Sequence, residues 1–222
     1  QTISFSIIIT VFNKQKYLPR SFSSLESQSY QNYEIIYIDD HSEDQSSEFI
    51  LQKMRNDKRI KLIQHTYNQG ISNSRIHGVL HSKGKYIMTL DPDDVFYKNT
   101  LNFSYNKVKE MKSDVLEIQV EFREGRNFII RWYPCTKNYT DRESIFNDLQ
   151  QFVFKKTPWN LYRKIVKNEI YKKAVHFLLP FVSDKKINYG EDLIQQFFCS
   201  LKIGCAMILS VMFITIFSQI VQ

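Results

Sequence analysis

"FSIIITVFNKQKYLPRSFSSLESQSYQNYEIIYIDD", residues 5–40, decides the fold of this chain. It opens on an uninterrupted apolar run, Phe5 to Phe12, rich in β-branched residues, as a parallel strand covered on both faces requires. Leu18, Phe22 and Leu25 then recur at helical spacing, and "YEIIYIDD" (33–40) is a second strand of the same kind. The order repeats downstream. Ser42 or Asp44 can cap a helix carrying Phe49, Ile50 and Met54, with Glu48 in its first turns. "IKLIQH" (60–65) is a shorter third strand, and Ile76, Val79 and Leu80 mark the next helix. "GKYIMTL" (84–90) is a fourth strand, followed by a helix with Leu101, Tyr105, Val108 and Met111. Strand and helix alternating in this way predict a mostly parallel α/β sheet flanked by helices, with ligands outside the carboxyl ends of its strands.

The second half is less regular. "SDVLEIQVEF" (113–122) and "RNFIIRWY" (126–133) read as strands joined through "REGR" in a hairpin. Helical patterns surround Ile145, Leu149 and Phe152, and return between Leu193 and Leu201. The final "IGCAMILSVMFITIFSQIVQ" (203–222) carries no charge and is about as long as a membrane-spanning helix needs to be. Its β-branched and aromatic residues suit a buried strand equally, which is the preferred reading.

Composition sets bounds rather than an answer. At 222 residues the chain is long enough for one domain with a substantial core. Hydrophobic content of 43% and charged content of 24% place it among ordinary globular proteins. The net charge of +7 suits anionic ligands or acidic membrane surfaces, but the basic residues are scattered as on a solvated surface, and nucleic acid is not expected. Cys135, Cys199 and Cys205 form neither a disulfide framework nor a metal-ligand spacing and read as buried thiols. The chain opens on Gln1 without the basic segment or cleavage site of a secretory leader, so it reads as an excised or processed domain.

The chemistry concentrates in acidic residues at strand ends. Asp40 follows the second strand, and Asp91, Asp93 and Asp94 follow the fourth, so the two groups should meet at one edge of the sheet. Asp91 and Asp93 are two apart on extended chain and point to the same side, while Pro92 fixes the backbone between them. Two such carboxylates repel each other unless a cation lies between them, and an oxygen-only ligand set favours Mg²⁺ or Mn²⁺. "DPDD" also makes a good polar turn, and the motif alone leaves both readings open. An EF-hand loop from Asp91 fails, because Phe96 and Asn102 stand where Gly and Glu are required. No G-x-G-x-x-G and no P-loop signature is present. "MTLDPDDV" resembles the nucleophile motif of haloacid-dehalogenase-like phosphatases, but it follows a fourth strand where that family has a first. His77 and His81 sit four apart on a helix without an acidic partner, so no metal site is expected there.

Several segments taken in order resemble the family 2 glycosyltransferases. Residues 5–44 resemble that family's opening, in which one strand ends near an aromatic-Asn pair and the next in Asp-Asp-x-Ser-x-Asp. "NQGISNSRIHG" resembles its Asn-x-Gly segment with a following Arg, and "GKYIMTLDPDD" its Asp-x-Asp strand. "PWNLYRK" and "NYGEDL" are similar to its acceptor-side motifs, so the resemblance runs from about Phe5 to Leu201. Phe12 stands where Tyr is more usual, and His41 replaces a frequent Gly.

The resemblance implies one GT-A domain over residues 1–222, a Rossmann-like fold. Residues 1–98 would form the nucleotide-sugar donor half, 99–202 the acceptor and catalytic half, and 203–222 the apolar strand or membrane helix. It further implies that Thr10, Phe12, Asn13, Asp40, Arg75 and Asp91 serve the donor, and that Asp93, with Asp91, holds Mn²⁺ or Mg²⁺. Asp94 would stand behind them. Asp192 would be the catalytic base, with Glu191 assisting and Trp159 stacking on the acceptor. A carboxylate only accepts hydrogen bonds, so Asp40 suits the N3 proton of uracil or thymine and favours a UDP-sugar, with dTDP- and GDP-sugars left open. The implied reaction is inverting transfer to a saccharide, lipid-linked or protein-linked hydroxyl, in the cytoplasm or at a membrane reached peripherally or through the C-terminal segment. The alternatives are an inactive nucleotide-sugar-binding module and the phosphatase.

Overall fold

The computed structural model describes residues 2–111, 115–118, 134–138 and 164–182. The strand expected at 126–133, the helices around 145–152 and 193–201, Trp159, Glu191, Asp192, Cys199, Cys205 and the segment 203–222 lie outside the described residues. The elements in chain order are β1 (Phe5–Val11), α1 (Leu18–Glu26), β2 (Tyr33–Asp39), α2 (Ser46–Asn56), β3 (Ile60–Gln64), α3 (Ile71–His81), β4 (Tyr86–Thr89) and α4 (Thr100–Met111). They continue with β5 (Val115–Ile118), β6 (Pro134–Asn138), β7 (Lys164–Lys167) and α5 (Asn168–Val182).

The strands join in one sheet of order β3-β2-β1-β4-β7-β5-β6. β3, β2, β1 and β4 run parallel, while β7 is antiparallel to both β4 and β5, and β6 is antiparallel to β5. The alternation of side chains along β1 explains its continuous apolar sequence. Phe5, Ile7, Ile9 and Val11 pack with Leu18, Phe22 and Leu25 of α1, Ile50 of α2 and Leu101 and Val108 of α4. Ile8 faces the other way, toward α3. There Gly78 brings the helix so close that a Cβ would lie 2.5 Å from Ile8 Cγ2 and 2.8 Å from Ile38 Cδ1. Both faces of the strand are therefore dry along its middle, and its two polar residues, Ser6 and Thr10, stand near its ends.

Two expectations are corrected. The helix after β2 begins at Ser46, with Gln45 at its N-cap and no side-chain cap. Ser42 and Asp44 instead fasten the loop after β1: the Asn13 amide donates to Ser42 Oγ and the Gln15 amide to Asp44 Oδ2. Asp44 also accepts the Ser46 amide, 3.0 Å away, from outside the helix. Meanwhile β7 and α5 had no counterpart in the sequence reading. "KIVK" is too short and too basic to declare a strand until it pairs with β4, and Pro180 lies inside α5 where proline ordinarily signals a break.

A buried carboxylate ties the amino ends of the strands together. Glu34 on β2 accepts hydrogen bonds from Ser6 Oγ (2.6 Å), the Lys83 amide (2.6 Å), the Gly84 amide (3.1 Å) and Lys61 Nζ (2.6 Å). Burial alone would push its pKa up, but these donors outweigh burial and hold it below the ordinary carboxylate range. Glu34→Ala should cost about 2 kcal/mol in urea unfolding at pH 7, because it strands several buried donors. With the folded-state pKa lowered, this contribution is present above the ordinary Glu pKa and lost as pH falls through the folded value. The deficit of the variant should therefore shrink in acid. Gly84→Ala should destabilise more, since its Cβ would meet the Phe5 carbonyl carbon and Ser6 nitrogen at 2.5 Å.

Candidate active site

The strand order reverses direction between β1 and β4: β2 and β3 build out on one side of β1, and β4 lies on the other. A crevice opens at the carboxyl ends of strands at such a switch point. Here it is a cleft of about 400 Å³, lined in part by Thr10 near the end of β1, Phe12 and Lys14 after it, Asp40 after β2, and Asp91 and Asp93 after β4. Of the carboxylates expected at one edge, Asp40, Asp91 and Asp93 thus share one cavity, while Asp94 does not line it.

Asp40 is 4% exposed and heavily engaged. Its Oδ1 accepts the Gln69 amide (2.7 Å) and lies 2.7 Å from His65 Nδ1, and its Oδ2 accepts the Gly70 amide (2.8 Å). Gly70 sits at the N-cap of α3 with φ 87°, a conformation that glycine adopts without penalty and that aims its amide at the carboxylate. Asp39 plays a different part. It accepts the Ser42 amide and the Ser47 hydroxyl, fastening the β2 turn. Between them lies His41 at φ 66°, which explains why glycine suits this position and shows that the turn forms with histidine there.

At the other wall the "DPDD" segment is both a turn and a cluster of acids. The Asp94 amide closes the turn on the Asp91 carbonyl (2.9 Å), while Asp91 and Asp93 reach the cleft. Asp93 Oδ2 accepts from Lys14 Nζ at 2.9 Å, and the Asp93 carbonyl from Arg20 Nη2 at 2.7 Å. Asp91 Oδ1 lies 3.3 Å from Arg75 Nη2, and that guanidinium is buried. The bound Asp93 carboxylate holds the Lys14 ammonium above its usual range. Burial, then the charges of Asp91 and Asp93, push the Asp94 carboxyl up to about 6 against the pull of Arg20.

Thr10, Phe12, Asp40, Asp91 and Asp93 line the cleft; Arg75 supports it from beneath through Asp91. Asn13 does not line it: at φ 53° its Oδ1 accepts the Glu43 amide. Lys14 and His65 were missed, although each follows a strand end on the edge where ligands are expected. His77 joins the site indirectly, through another histidine rather than an acid. Its Nδ1 lies 2.7 Å from His65 Nε2, and the chain of contacts ends at Asp40. Among the described residues no group of three or more His, Cys, Asp or Glu side chains is arranged to hold a metal ion. The oxygen-only pair Asp91 and Asp93 remains a donor set of the kind that holds Mg²⁺ or Mn²⁺ jointly with phosphate oxygens.

The family model described as Glycosyl transferase family 2 matches residues 6–176. Glycosyltransferase GlyG of Streptococcus pneumoniae serotype 4 (strain ATCC BAA-334 / TIGR4) is 32% identical over 111 residues, which are 50% of this chain and 37% of that protein. Among solved structures, S. aureus TarS 1-349 superposes with a TM-score of 0.69 at 22% identity, over 89% of this chain and 55% of that one. Its complex with UDP-GlcNAc gives 0.61 at 24% identity, over 77% and 47%. Mannosyltransferase PcManGT from Pyrobaculum calidifontis, in complex with GDP-Man and Mn2+, gives 0.54 at 13% identity, over 76% and 46%. The chain spans about half or less of the length of these proteins. With the family match covering most of its residues and the superposition on TarS covering 89% of the chain, the chain belongs to glycosyl transferase family 2 and has the GT-A fold.

Proposed function

We propose that the cleft is the donor site of an inverting, divalent-metal-dependent glycosyltransferase that moves a sugar from a UDP-sugar to a hydroxyl acceptor. The observation that carries this reading is the meeting of Asp40, Asp91 and Asp93 with Phe12 and Lys14 in one cavity. The complexes of TarS with UDP and UDP-GlcNAc support it by analogy of fold.

Each residue has a part. A carboxylate offers about four acceptor positions. Asp40 uses three of them on protein donors, which leaves Oδ2 able to accept one further N–H, the number uracil N3 presents. Phe12, 47% exposed at the rim, offers its ring face to the base. Lys14 and Arg75 bring positive charge to the acidic wall where a diphosphate would lie. Asp93 and Asp91 would hold Mn²⁺ or Mg²⁺, which when bound supplies Lewis-acid stabilisation of the departing nucleoside diphosphate. Asp192 would take the proton of the acceptor hydroxyl as it attacks, with Glu191 beside it and Trp159 under the acceptor.

Thermal melts with UDP, GDP and CDP, with and without Mn²⁺, test the donor site. UDP should stabilise most, EDTA should abolish most of the gain, and Asp93→Ala should remove the metal dependence. Asp40→Ala should weaken UDP about tenfold, equivalent to about 1.4 kcal/mol. In turnover assays Asp192→Asn should lose about 10²-fold or more while keeping UDP affinity. Binding without turnover in the wild type would point to a binding module instead, and no nucleotide response in a folded sample would overturn the reading.

A further inference from the structure

The contacts behind Asp40 have no role in the reaction described so far. Two imidazoles stand in line with its carboxylate. His65, 8% exposed, places Nδ1 2.7 Å from Asp40 Oδ1, and its Nε2 lies 2.7 Å from Nδ1 of His77. The two rings meet edge to face, with centroids 4.8 Å apart. The hydrogen positions follow from the chemistry. An ionised carboxylate cannot donate, so His65 Nδ1 carries a hydrogen toward Asp40. Its Nε2 in the neutral ring is then an acceptor, so His77 Nδ1 carries the next hydrogen, and His77 Nε2 keeps a lone pair. His65 and Asp40 are buried, whereas His77 is only part-buried, so His77 is the member that exchanges protons with solvent.

We propose that His65 is a positioning residue for the donor base, holding the Asp40 carboxylate turned toward the cleft, and that His77 couples donor binding to pH through it. This rests on the reading that Asp40 receives the base. When His77 gains a proton, the added positive charge stands in line with Asp40 and offsets part of the repulsion between that carboxylate and an incoming diphosphate. Donor affinity then rises as pH falls through the His77 pKa.

The surroundings set the window. Burial, followed by the neighbouring His65 and His81, holds His77 below its ordinary range, while Asp40 acts in the opposite sense. On α3 itself, His81 Nδ1 donates to the His77 carbonyl (2.8 Å), and Arg75 is turned to Asp91. α5, which packs on α3, carries Lys172, whose ammonium donates to the Ser82 carbonyl (2.7 Å), and the exposed Lys173 and His176. β1 has no charged residue, and on β2 Glu34 is paired with Lys61 and Asp39 with Ser42 and Ser47. The proton therefore arrives below the ordinary histidine range.

The test is calorimetric binding of UDP-GlcNAc with Mn²⁺ from pH 5 to 7.5. The diphosphate of this probe is esterified at both ends and does not titrate in that range. Because Asp94 titrates in the same window, the wild-type profile is read against variants that leave Asp94 untouched. His65→Ala should weaken binding about tenfold at pH 7.5. His65→Asn, whose amide replaces the Nδ1–H, should recover affinity to within about threefold but lose the His77-linked gain, roughly two- to fivefold in the wild type. His77→Gln should keep the pH 7.5 affinity and lose the same gain. Melting curves establish that each variant is folded; if His65→Ala is not, the Asn and Gln variants decide. A profile in His77→Gln that matches the wild type, or full affinity in His65→Ala beside a loss in Asp40→Ala, overturns this proposal while leaving the donor site standing. Absence of binding in the wild type, or indifference to Asp40→Ala, overturns the donor-site reading and this proposal with it.

Discussion

Everything at the site follows from how β1 is paired. It accepts β2 on one edge and β4 on the other, both parallel to it, and helices cover both of its faces. A strand so enclosed carries its few polar residues, Ser6 and Thr10, near its ends. The loops after β1, β2 and β4 are therefore driven to the same edge, and the crossover that carries the chain from β3 past β1 to β4 keeps two of those loops apart enough to leave a cleft. The acidic residues lie at strand ends because a charge buried along these strands is costly unless it is fully paired, as Glu34 is at the opposite rim.

Within the cleft the acids are not equivalent. Asp39 and Asp40 are adjacent in sequence yet point into different surroundings, one fastening a turn and the other facing the cavity through a cradle of amides and an imidazole. A run of backbone amides at the start of α3 meets Asp40 much as it would meet a bound anion. The "DPDD" wall has the opposite character: its carboxylates outnumber their close cationic partners, and Asp94 stays protonated more readily than an ordinary carboxyl. One wall is rich in donors, and the other is short of them.

The first four strands and helices were legible because each is long, apolar and periodic, and because dry faces admit no ambiguity of pattern. The shared edge for Asp40, Asp91 and Asp93 was legible too, since parallel strands joined by helices all end on one side. Strand order was not. Nothing local in "KIVK" tells that it pairs with β4, and nothing in Lys14 or His65 distinguishes them from solvated loop residues until β1 and β4 are known to be neighbours. Helix starts were misjudged for a related reason: Ser42 and Asp44 have cap chemistry, but a loop 29 residues away in sequence claims them first. The family resemblance supplied roles for Glu191, Asp192 and Trp159, which lie outside the described residues.

The Glu34 knot lies at the amino ends of the strands, at the far end of the sheet from the cleft. Rigidity and recognition are thus assigned to opposite rims. Residues on the cleft rim can be exchanged by mutation without slackening the fastening that keeps β1, β2 and β3 in register. A scaffold divided in this way can change what it recognises over evolutionary time while its architecture stays put.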